Sequence, residues 1–142
     1  MTIERILEGR DANVLTCDAT MSVRDAVALL SERRIGALPV LENGAVTGIF
    51  SERDLIYSLA EHGPAILDKT VRDVMTAPAV TVEPETSALA ALSLMTRRRI
   101  RHLPVMADGR MAGFISIGDI VKYRIDRIES EAEAMRNYIQ MA

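Results

Sequence analysis

Apolar residues recur every three or four positions after Ser22, which predicts an amphipathic helix with Ser22 as its N-cap residue and an end near Arg33. This stripe consists of Val23, Ala26, Val27 and Leu30. Two short β-leaning runs follow at residues 37–41 and 45–50, and the Asn43-Gly44 pair between them favours a tight hairpin turn. The pattern therefore predicts a helix followed by a β-hairpin.

A strand before this segment and a helix after it complete the predicted unit. Residues 14–17 form a short β-leaning run. Ser51 is a favoured N-cap residue for a second helix, which Gly63 and Pro64 close. The predicted order is strand, helix, strand, strand, helix.

The same pattern occurs a second time along the chain. Asp18–Ile56 aligns without a gap with Glu83–Val121, at a constant offset of 65 positions. The second copy has predicted strands at 79–82, 103–106 and 111–115, a helix at 88–98 after Ser87, and a last helix opened by Ser116. We expect an α/β (α+β) fold of two β-α-β-β-α repeats packed as one pseudo-twofold module, with paired clefts between them. The predicted boundaries are 1–65 for the first repeat, 66–125 for the second, and 126–142 for a C-terminal helical extension.

Residues 122–141 depart from the repeat and contain no Gly or Pro. Apolar residues continue there at a spacing of three or four, which predicts a long amphipathic helix. They are Ile125, Ile128, Ala132, Met135 and Ile139. Two interpretations of this stripe are open: it folds back onto the chain's own core, or it forms a dimer contact.

The composition indicates a cytoplasmic protein with an aliphatic core. Of 142 residues, 49% are hydrophobic and 4% aromatic, and each repeat alone is small enough to be marginal, so we expect one shared core. A net charge of -3 argues against general nucleic-acid binding, which needs a cationic surface. Cys17 is the only cysteine, which excludes an internal disulfide and suits a reducing compartment. Neither a membrane-spanning run nor a signal peptide is expected.

Known catalytic and metal-binding motifs are absent from the sequence. It lacks a Walker glycine loop, a G-x-S-x-G motif, an H-E-x-x-H motif and a second cysteine. We therefore expect a protein that is not an enzyme and that holds no metal ion. Cys17 is expected to be a buried apolar side chain and not a nucleophile.

The end of each repeat resembles the cystathionine-β-synthase (CBS) domain. Gly48–Asp54 and Gly113–Asp119 share the order glycine, two apolar residues, serine, two variable residues, aspartate, and Val71–Thr76 is similar to the start of such a domain. The tandem pair resembles a Bateman module, in which two repeats pack sheet to sheet and bind adenine nucleotides or related adenosyl ligands between them. In that family two modules commonly join through helical faces, so the resemblance implies a homodimer.

Asp54 and Asp119 each lie three residues after the serine that opens a helix, and two interpretations are open. In a capping box the carboxylate folds back onto the backbone of Ser51 or Ser116 and needs no ligand. The resemblance implies instead that it points into the cleft and accepts hydrogen bonds from two ribose hydroxyls. The serine hydroxyl and the first amides of the helix would then face a phosphate.

The basic run at 97–102 and Arg53, which lies inside the first motif, are candidates for phosphate contacts. Arg101 and His102 have no basic counterparts in the first repeat, so we expect unequal sites, with cations of one repeat facing phosphates held by the other. The other interpretation of the run is a solvated helix C-terminus. Nucleic-acid binding is disfavoured, because no aromatic residue lies in the run. Thr16 and Thr81 are candidate contacts for the adenine or ordinary strand residues. Ala37, Leu38 and Ile115 are candidate apolar walls, and the other interpretation is that they serve mainly in the core.

Together these features predict a regulatory signalling module that has no catalytic cofactor. It would bind AMP, ADP, ATP, NAD or S-adenosylmethionine as a regulatory ligand and pass its ligand state to a separate effector protein. One rival hypothesis is a ligand-free dimerisation scaffold in which both aspartates only cap helices. Another is an enzyme that has borrowed the fold.

Overall fold

The computed structural model describes residues 1–10 and 13–141. A short helix comes first, and each repeat then contains a helix, an antiparallel hairpin and a second helix. The elements up to residue 68 are α1 (Ile3–Leu7), β1 (Cys17–Asp18), α2 (Val23–Arg33), β2 (Ala37–Glu42), β3 (Ala45–Ser51), α3 (Glu52–His62) and a 3-10 turn (Pro64–Asp68). The remaining elements are α4 (Val71–Val74), α5 (Ala88–Arg98), β4 (His102–Ala107), β5 (Arg110–Ser116) and α6 (Ile117–Met141). The predicted mixed α/β fold of two repeats is confirmed.

The hairpins of the two repeats have the same register. Ala37 pairs with Ser51 in β2 and β3, and at the same offset of 65 positions His102 pairs with Ser116 in β4 and β5. The register of each ladder also shifts at the equivalent rung. The duplication visible in the sequence is therefore preserved in the hydrogen bonding of both sheets.

The first strand of each repeat is shorter than predicted. The strand expected at 14–17 is Cys17–Asp18, and the strand expected at 79–82 is reduced to an isolated bridge between Val82 and Val105. In both repeats, residues that precede the paired segment contribute to the wall of a cavity and do not continue the strand. The predicted strands therefore included residues that line the cavities.

Each repeat has its own cluster of buried side chains, so the expectation of one shared core is wrong. Phe50 and Leu38 belong to the cluster of the first repeat, and Leu103 and Ile115 belong to that of the second; all four are fully buried. Cys17, 2% exposed, lies in the first cluster, which confirms its expected role as a buried apolar side chain.

The helix that precedes each repeat packs on the other repeat. Ile3 and Ile6 of α1 belong to the buried cluster of the second repeat, and Val71 of α4 belongs to that of the first. The Ile3 N–H donates to the Thr86 carbonyl at 2.9 Å, and the Val71 N–H donates to the Met21 carbonyl at 2.8 Å. These two bonds are equivalent, so α1 and α4 correspond at an offset of 68 positions. The predicted boundary at residue 65 stays a prediction, because each core includes residues from both sides of it.

Two equivalent glycines lie where an exchanged segment, meaning α1 or α4 with the residues that follow it, approaches the hairpin of the other repeat. A Cβ atom on Gly48 would lie 2.7 Å from the Thr76 carbonyl oxygen, and one on Gly113 would lie 2.9 Å from a methyl carbon of Leu7. At Gly48 the obstacle is a backbone carbonyl, which leaves no room for a side chain, whereas at Gly113 it is the end of a flexible leucine side chain, which would have to shift. The glycine that begins each repeated motif therefore allows the exchanged segment to pack closely on the hairpin.

Helix α6 leaves the body of the protein after its first two turns. Ile120 is 4% exposed and packs with Tyr123 on the second cluster, whereas every residue from Arg124 to Met141 is exposed. The interpretation in which the stripe folds back onto the core is therefore wrong. No helix in the described part of the chain has both the length and the apolar character that a membrane span requires.

Candidate functional site

Two cavities lie between the repeats, and equivalent residues line them. The first has a volume of about 430 Å³ and the second about 630 Å³. Each combines the start of the terminal helix of one repeat with the start of the hairpin of the other. Corresponding residues of the first and second cavity are Ile49 and Phe114, Ser51 and Ser116, Asp54 and Asp119, Val80 and Leu15, Ile100 and Ile35, Arg101 and Gly36, and His102 and Ala37.

In the first cavity, Asp54 closes a capping box with Ser51. Asp54 Oδ2 accepts hydrogen bonds from the Ser51 N–H at 2.9 Å and the Ser51 hydroxyl at 3.0 Å, and the Asp54 N–H donates to Ser51 Oγ at 3.3 Å. The Thr76 hydroxyl donates to Oδ1 at 2.8 Å. A carboxylate accepts about four hydrogen bonds, and hydroxyl donors rotate easily. Asp54 therefore caps the helix and still has capacity for donors from the cavity.

In the second cavity, Asp119 makes the same cap but has a different second partner. Its Oδ2 accepts from the Ser116 N–H at 2.8 Å, and its own N–H donates to Ser116 Oγ at 3.1 Å. The Arg10 guanidinium contacts both oxygens, Oδ1 at 2.8 Å and Oδ2 at 3.2 Å. Burial alone would raise the pKa of Asp119, but the bonds from Arg10 and Ser116 outweigh it and hold the pKa below its ordinary value. Both aspartates therefore cap their helices, and their contact with a ribose stays a prediction.

The cationic side chains are distributed unequally between the cavities. Arg53, Arg99 and Arg101 line the first cavity, and the last two come from the opposite repeat. Within the described residues, Arg10 is the arginine that lines the second cavity, and it is paired with Asp119. The first cavity is therefore the more cationic of the two.

His102 lies between the cavities and lines both of them. Its ring stacks on Phe114, with centroids 5.5 Å apart and planes inclined by 15°. Burial lowers the pKa of His102, and Arg101 adds to this, while Asp119 and Glu52 act in the opposite direction without reversing it. Burial therefore favours the uncharged form of the imidazole.

The structure brings most of the predicted contact residues to a cavity, but not all of them. Ser51, Arg53, Asp54, Arg101 and His102 line the first cavity; Ala37, His102, Ser116 and Asp119 line the second. Leu38 and Ile115 are fully buried in the cores of their own repeats. Thr16 and Thr81 line neither cavity but directly follow lining residues.

Arg10 and Thr76 are the important residues that sequence reasoning missed. Both follow an exchanged helix, α1 or α4, and both contact the aspartate of the repeat on which that helix packs. The signal that could have found them is the similarity of Ile3–Glu8 to Val71–Thr76, at the offset of 68 positions.

Neither a metal centre nor a thiol nucleophile is built into the described part of the chain. No group of three or more His, Cys, Asp or Glu residues there could hold a metal ion. Burial, together with the neighbouring Asp18 carboxylate, raises the pKa of the Cys17 thiol to about 11. A thiolate at Cys17 is therefore disfavoured at neutral pH.

Curated relatives match most of this chain. The mitochondrial CBS domain-containing protein CBSX3 of Arabidopsis thaliana is 38% identical over 135 residues, 92% of this chain and 66% of the relative. The chain thus spans slightly less than two thirds of that protein. Inosine-5'-monophosphate dehydrogenase of Mycobacterium tuberculosis is 35% identical over 123 residues, which are 84% of this chain and 22% of the enzyme.

Solved structures and a family model match the same two repeats. A CBS-domain containing protein from Agrobacterium tumefaciens has a TM-score of 0.83 at 37% identity, covering 87% of this chain and 99% of that one. CBSX2 in complex with AMP has a TM-score of 0.74 at 28% identity, covering 88% and 96%. The model of the CBS domain matches residues 10–61 and 71–126. This chain therefore belongs to the CBS domain family, as a pair of CBS repeats.

Proposed function

We propose that this protein is a non-catalytic regulatory module that binds adenosine-containing nucleotides, first of all in the first cavity. The observation that carries the proposal is the convergence there of Asp54 and Arg53 from one repeat with Arg99 and Arg101 from the other. A carboxylate can accept hydrogen bonds from both ribose hydroxyls, and guanidinium groups pair with phosphate oxygens. A nucleotide held in this way touches both repeats, so it favours one relative placement of them.

The size and walls of the first cavity suit a nucleobase next to a charged group. Its volume of about 430 Å³ lies in the range of roughly 300–1,000 Å³ that is typical of small-molecule sites. Ile49, Ile56, Tyr57, Val80 and Ile100 provide apolar surface for an adenine. The AMP-bound relative supports an adenine nucleotide as the ligand class.

The second cavity is proposed as a weaker site. Asp119 is occupied by Arg10, and the position equivalent to Arg101 is Gly36, which carries no positive charge. The rest of the proposal follows the family resemblance: the protein acts as a cytoplasmic homodimer and passes its ligand state to a separate effector protein.

A ligand-free scaffold is the second candidate, and one observation favours it. Both aspartates already have complete capping interactions, and Arg10 satisfies Asp119 further. Under this hypothesis the cavities would remain solvent-filled, and the aspartates would act only on the stability of their helices.

Thermal melts of matched variants separate the two candidates. We expect AMP, ADP, ATP, NAD or S-adenosylmethionine to raise the melting temperature, because a ligand at a hundred times its Kd adds about 2.7 kcal/mol to the free energy of unfolding. Asp54→Asn should remove most of this increase. Asp25→Asn is the control, because Asp25 holds the same position after an N-cap serine, Ser22, but lines neither cavity.

Two results would contradict the proposal. If no compound of the panel changes the melting temperature, or if Asp54→Asn and Asp25→Asn respond equally to the active compound, the scaffold hypothesis is preferred. Steady ATP hydrolysis by the purified protein would contradict the non-catalytic part alone.

A further inference from the structure

The outer part of α6 is an isolated helix with an apolar stripe. From Arg124 to Met141 every residue is exposed, including Ile125 at 49% and Ile139 at 66%. These residues extend about 27 Å along the helix axis. Most of the stability of helices in proteins comes from packing of an amphipathic face, so the exposed apolar stripe of this helix indicates a partner.

The apolar positions of α6 follow the period of a coiled coil. Successive apolar residues are separated alternately by four and three positions, which is the alternation of a and d positions in a coiled-coil seam. The a positions are Ile125, Ala132 and Ile139, and the d positions are Val121, Ile128 and Met135. An ordinary core-facing stripe is broader and extends to e or g positions, which here carry Lys122, Arg124, Glu129, Glu131 and Arg136.

This stripe is distinct from the face that α6 uses inside its own repeat. Ile120 and Tyr123 pack on the second core cluster. Val121 and Ile125, next to them along the helix, are 45% and 49% exposed. The stripe is therefore exposed from the point where α6 leaves the body of the protein.

The charges beside the stripe fit a parallel partner of the same sequence. In a parallel, in-register pair, a g residue faces the e residue five positions further along the other helix. Arg124 would then face the partner's Glu129, and Glu131 would face the partner's Arg136. Twofold symmetry repeats both pairs, so all four contacts join opposite charges.

The antiparallel arrangement brings like charges together. The register that matches all six apolar positions places Glu129 opposite the partner's Glu129 and Glu131 opposite the partner's Glu131. It also places Lys122 opposite the partner's Arg136. Such contacts are unfavourable at the edge of a coiled coil, where charges set helix orientation.

We propose that a second copy of this chain packs along α6 in parallel and in register, so that residues 121–139 of both copies form a two-stranded coiled coil. The inference rests on the homodimer of the proposed function, and it is independent of the ligand. Its consequence is that both CBS pairs of the dimer lie at the same end of the coiled coil.

Single cysteines test the orientation in the full chain. Ile139→Cys should give on the order of tenfold more disulfide-linked dimer under mild oxidation than the adjacent outward-facing control Gln140→Cys, because only the seam position brings two equivalent sulfurs together. The native Cys17 is buried, with its thiol pKa raised to about 11, so its background should be low. A mixture of Val121→Cys and Ile139→Cys chains should give no mixed dimer.

Two other results of the crosslinking experiment would contradict the proposal. Abundant mixed dimer between Val121→Cys and Ile139→Cys chains, without Ile139→Cys homodimer, means an antiparallel pair. Equal crosslinking at Ile139→Cys and Gln140→Cys means that the seam does not pair with a second copy. All three positions are exposed, so folding is expected to be unaffected and can be checked by far-UV circular dichroism.

A charge exchange tests the same contact without cysteines. Glu131→Arg should weaken the dimer on the order of threefold to tenfold by sedimentation equilibrium, because two attractive pairs become repulsive. Adding Arg136→Glu in the same chain should restore the dimer; failure to restore it contradicts the parallel register.

The ligand response separates this inference from the proposed function. Asp54→Asn should lose the nucleotide-dependent increase in melting temperature but keep the crosslinking of Ile139→Cys. Glu131→Arg should keep the nucleotide response. If only the nucleotide response is found, the coiled-coil proposal fails and the proposed function stands. If only the crosslinking is found, the proposed function fails and the coiled-coil proposal stands.

Discussion

Asp54 and Asp119 are equivalent in sequence and in helix capping, but they differ in what must move before a sugar can reach them. The Thr76 hydroxyl can rotate away from Asp54 Oδ1 at little cost. Arg10 must break two charge-assisted contacts to release Asp119. One side chain thus makes the second cavity less accessible to a ribose than the first.

Replacing Arg10 should open the second site. We expect Arg10→Ala to strengthen the binding of adenosine, which has a ribose but no phosphate, because Asp119 is no longer occupied by a guanidinium group. Isothermal titration calorimetry should then show a second binding event or a tighter one. Arg5→Ala, an exposed change in α1, is the control. Unchanged or weaker adenosine binding in Arg10→Ala would show that Arg10 does not block the site.

His102 should make the stability of the protein depend on pH. Its folded-state pKa lies below the ordinary value of 6.5, chiefly because it is buried. The unfolded chain therefore binds more protons as the pH falls below about 6.5, so the free energy of unfolding decreases from there down through the folded-state pKa. His102→Gln should flatten this part of the profile, measured by urea denaturation between pH 7.5 and pH 5.

The exposed histidine provides the matched control for this measurement. His62 lies at the end of α3 with a side chain that is 61% exposed, and His62→Gln should leave the slope in place. A slope that survives His102→Gln would assign the dependence to other groups. Asp119 acts in a separate window, because its lowered pKa confers stability that is lost only at more acidic pH.

At the scale of residues, sequence reasoning found the motif but not its partners. Ser51, Asp54, Ser116 and Asp119 were identifiable because they recur at one offset and have a specific capping chemistry. The contacts of Arg10 depend on which repeat α1 packs against. The sequence indicates that long-range choice only through the short similarity of Ile3–Glu8 to Val71–Thr76, which lies at a different offset from the rest of the repeats.

At the scale of elements, α1 and α4 are the least expected parts of the structure. Both are short, and neither has enough residues to show an apolar period of its own. Their equivalence at an offset of 68 positions is obscured by the offset of 65 that relates the rest of the repeats. The longer helices α2, α3 and α5 were predictable because an N-cap serine and an apolar stripe agree in each.

Substitutions in these two helices should affect the repeat across from them. Ile3→Ala should lower the free energy of unfolding by about 2–5 kcal/mol, because a fully buried side chain is truncated. Amide hydrogen exchange should increase mainly in α5, β4 and β5, the elements that surround it. Val71→Ala is the mirror experiment, and it should increase exchange mainly in α2 and the β2–β3 hairpin. Increases confined to the sequence neighbours of either residue would contradict the exchanged packing.

At the scale of the whole molecule, the packing of α1 and α4, each on the other repeat, holds the two repeats together, and no common core does so. Each repeat completes its buried cluster with side chains that come from the other side of the predicted boundary. The cavities lie between the two clusters, so their walls include residues from both repeats. Duplication, fold class and pairs of related clefts were predictable, whereas the two separate cores were not, because composition alone does not reveal how a core is divided.

The exchange also sets an order for biosynthesis. The residues of α1 leave the ribosome before the surface that receives them, which includes Thr86 and Ile115. Helix α1 must therefore remain without its partner until the second repeat has been made, while the first repeat can close as soon as Val71 has emerged. Packing of α1 is the step that completes the core of the second repeat.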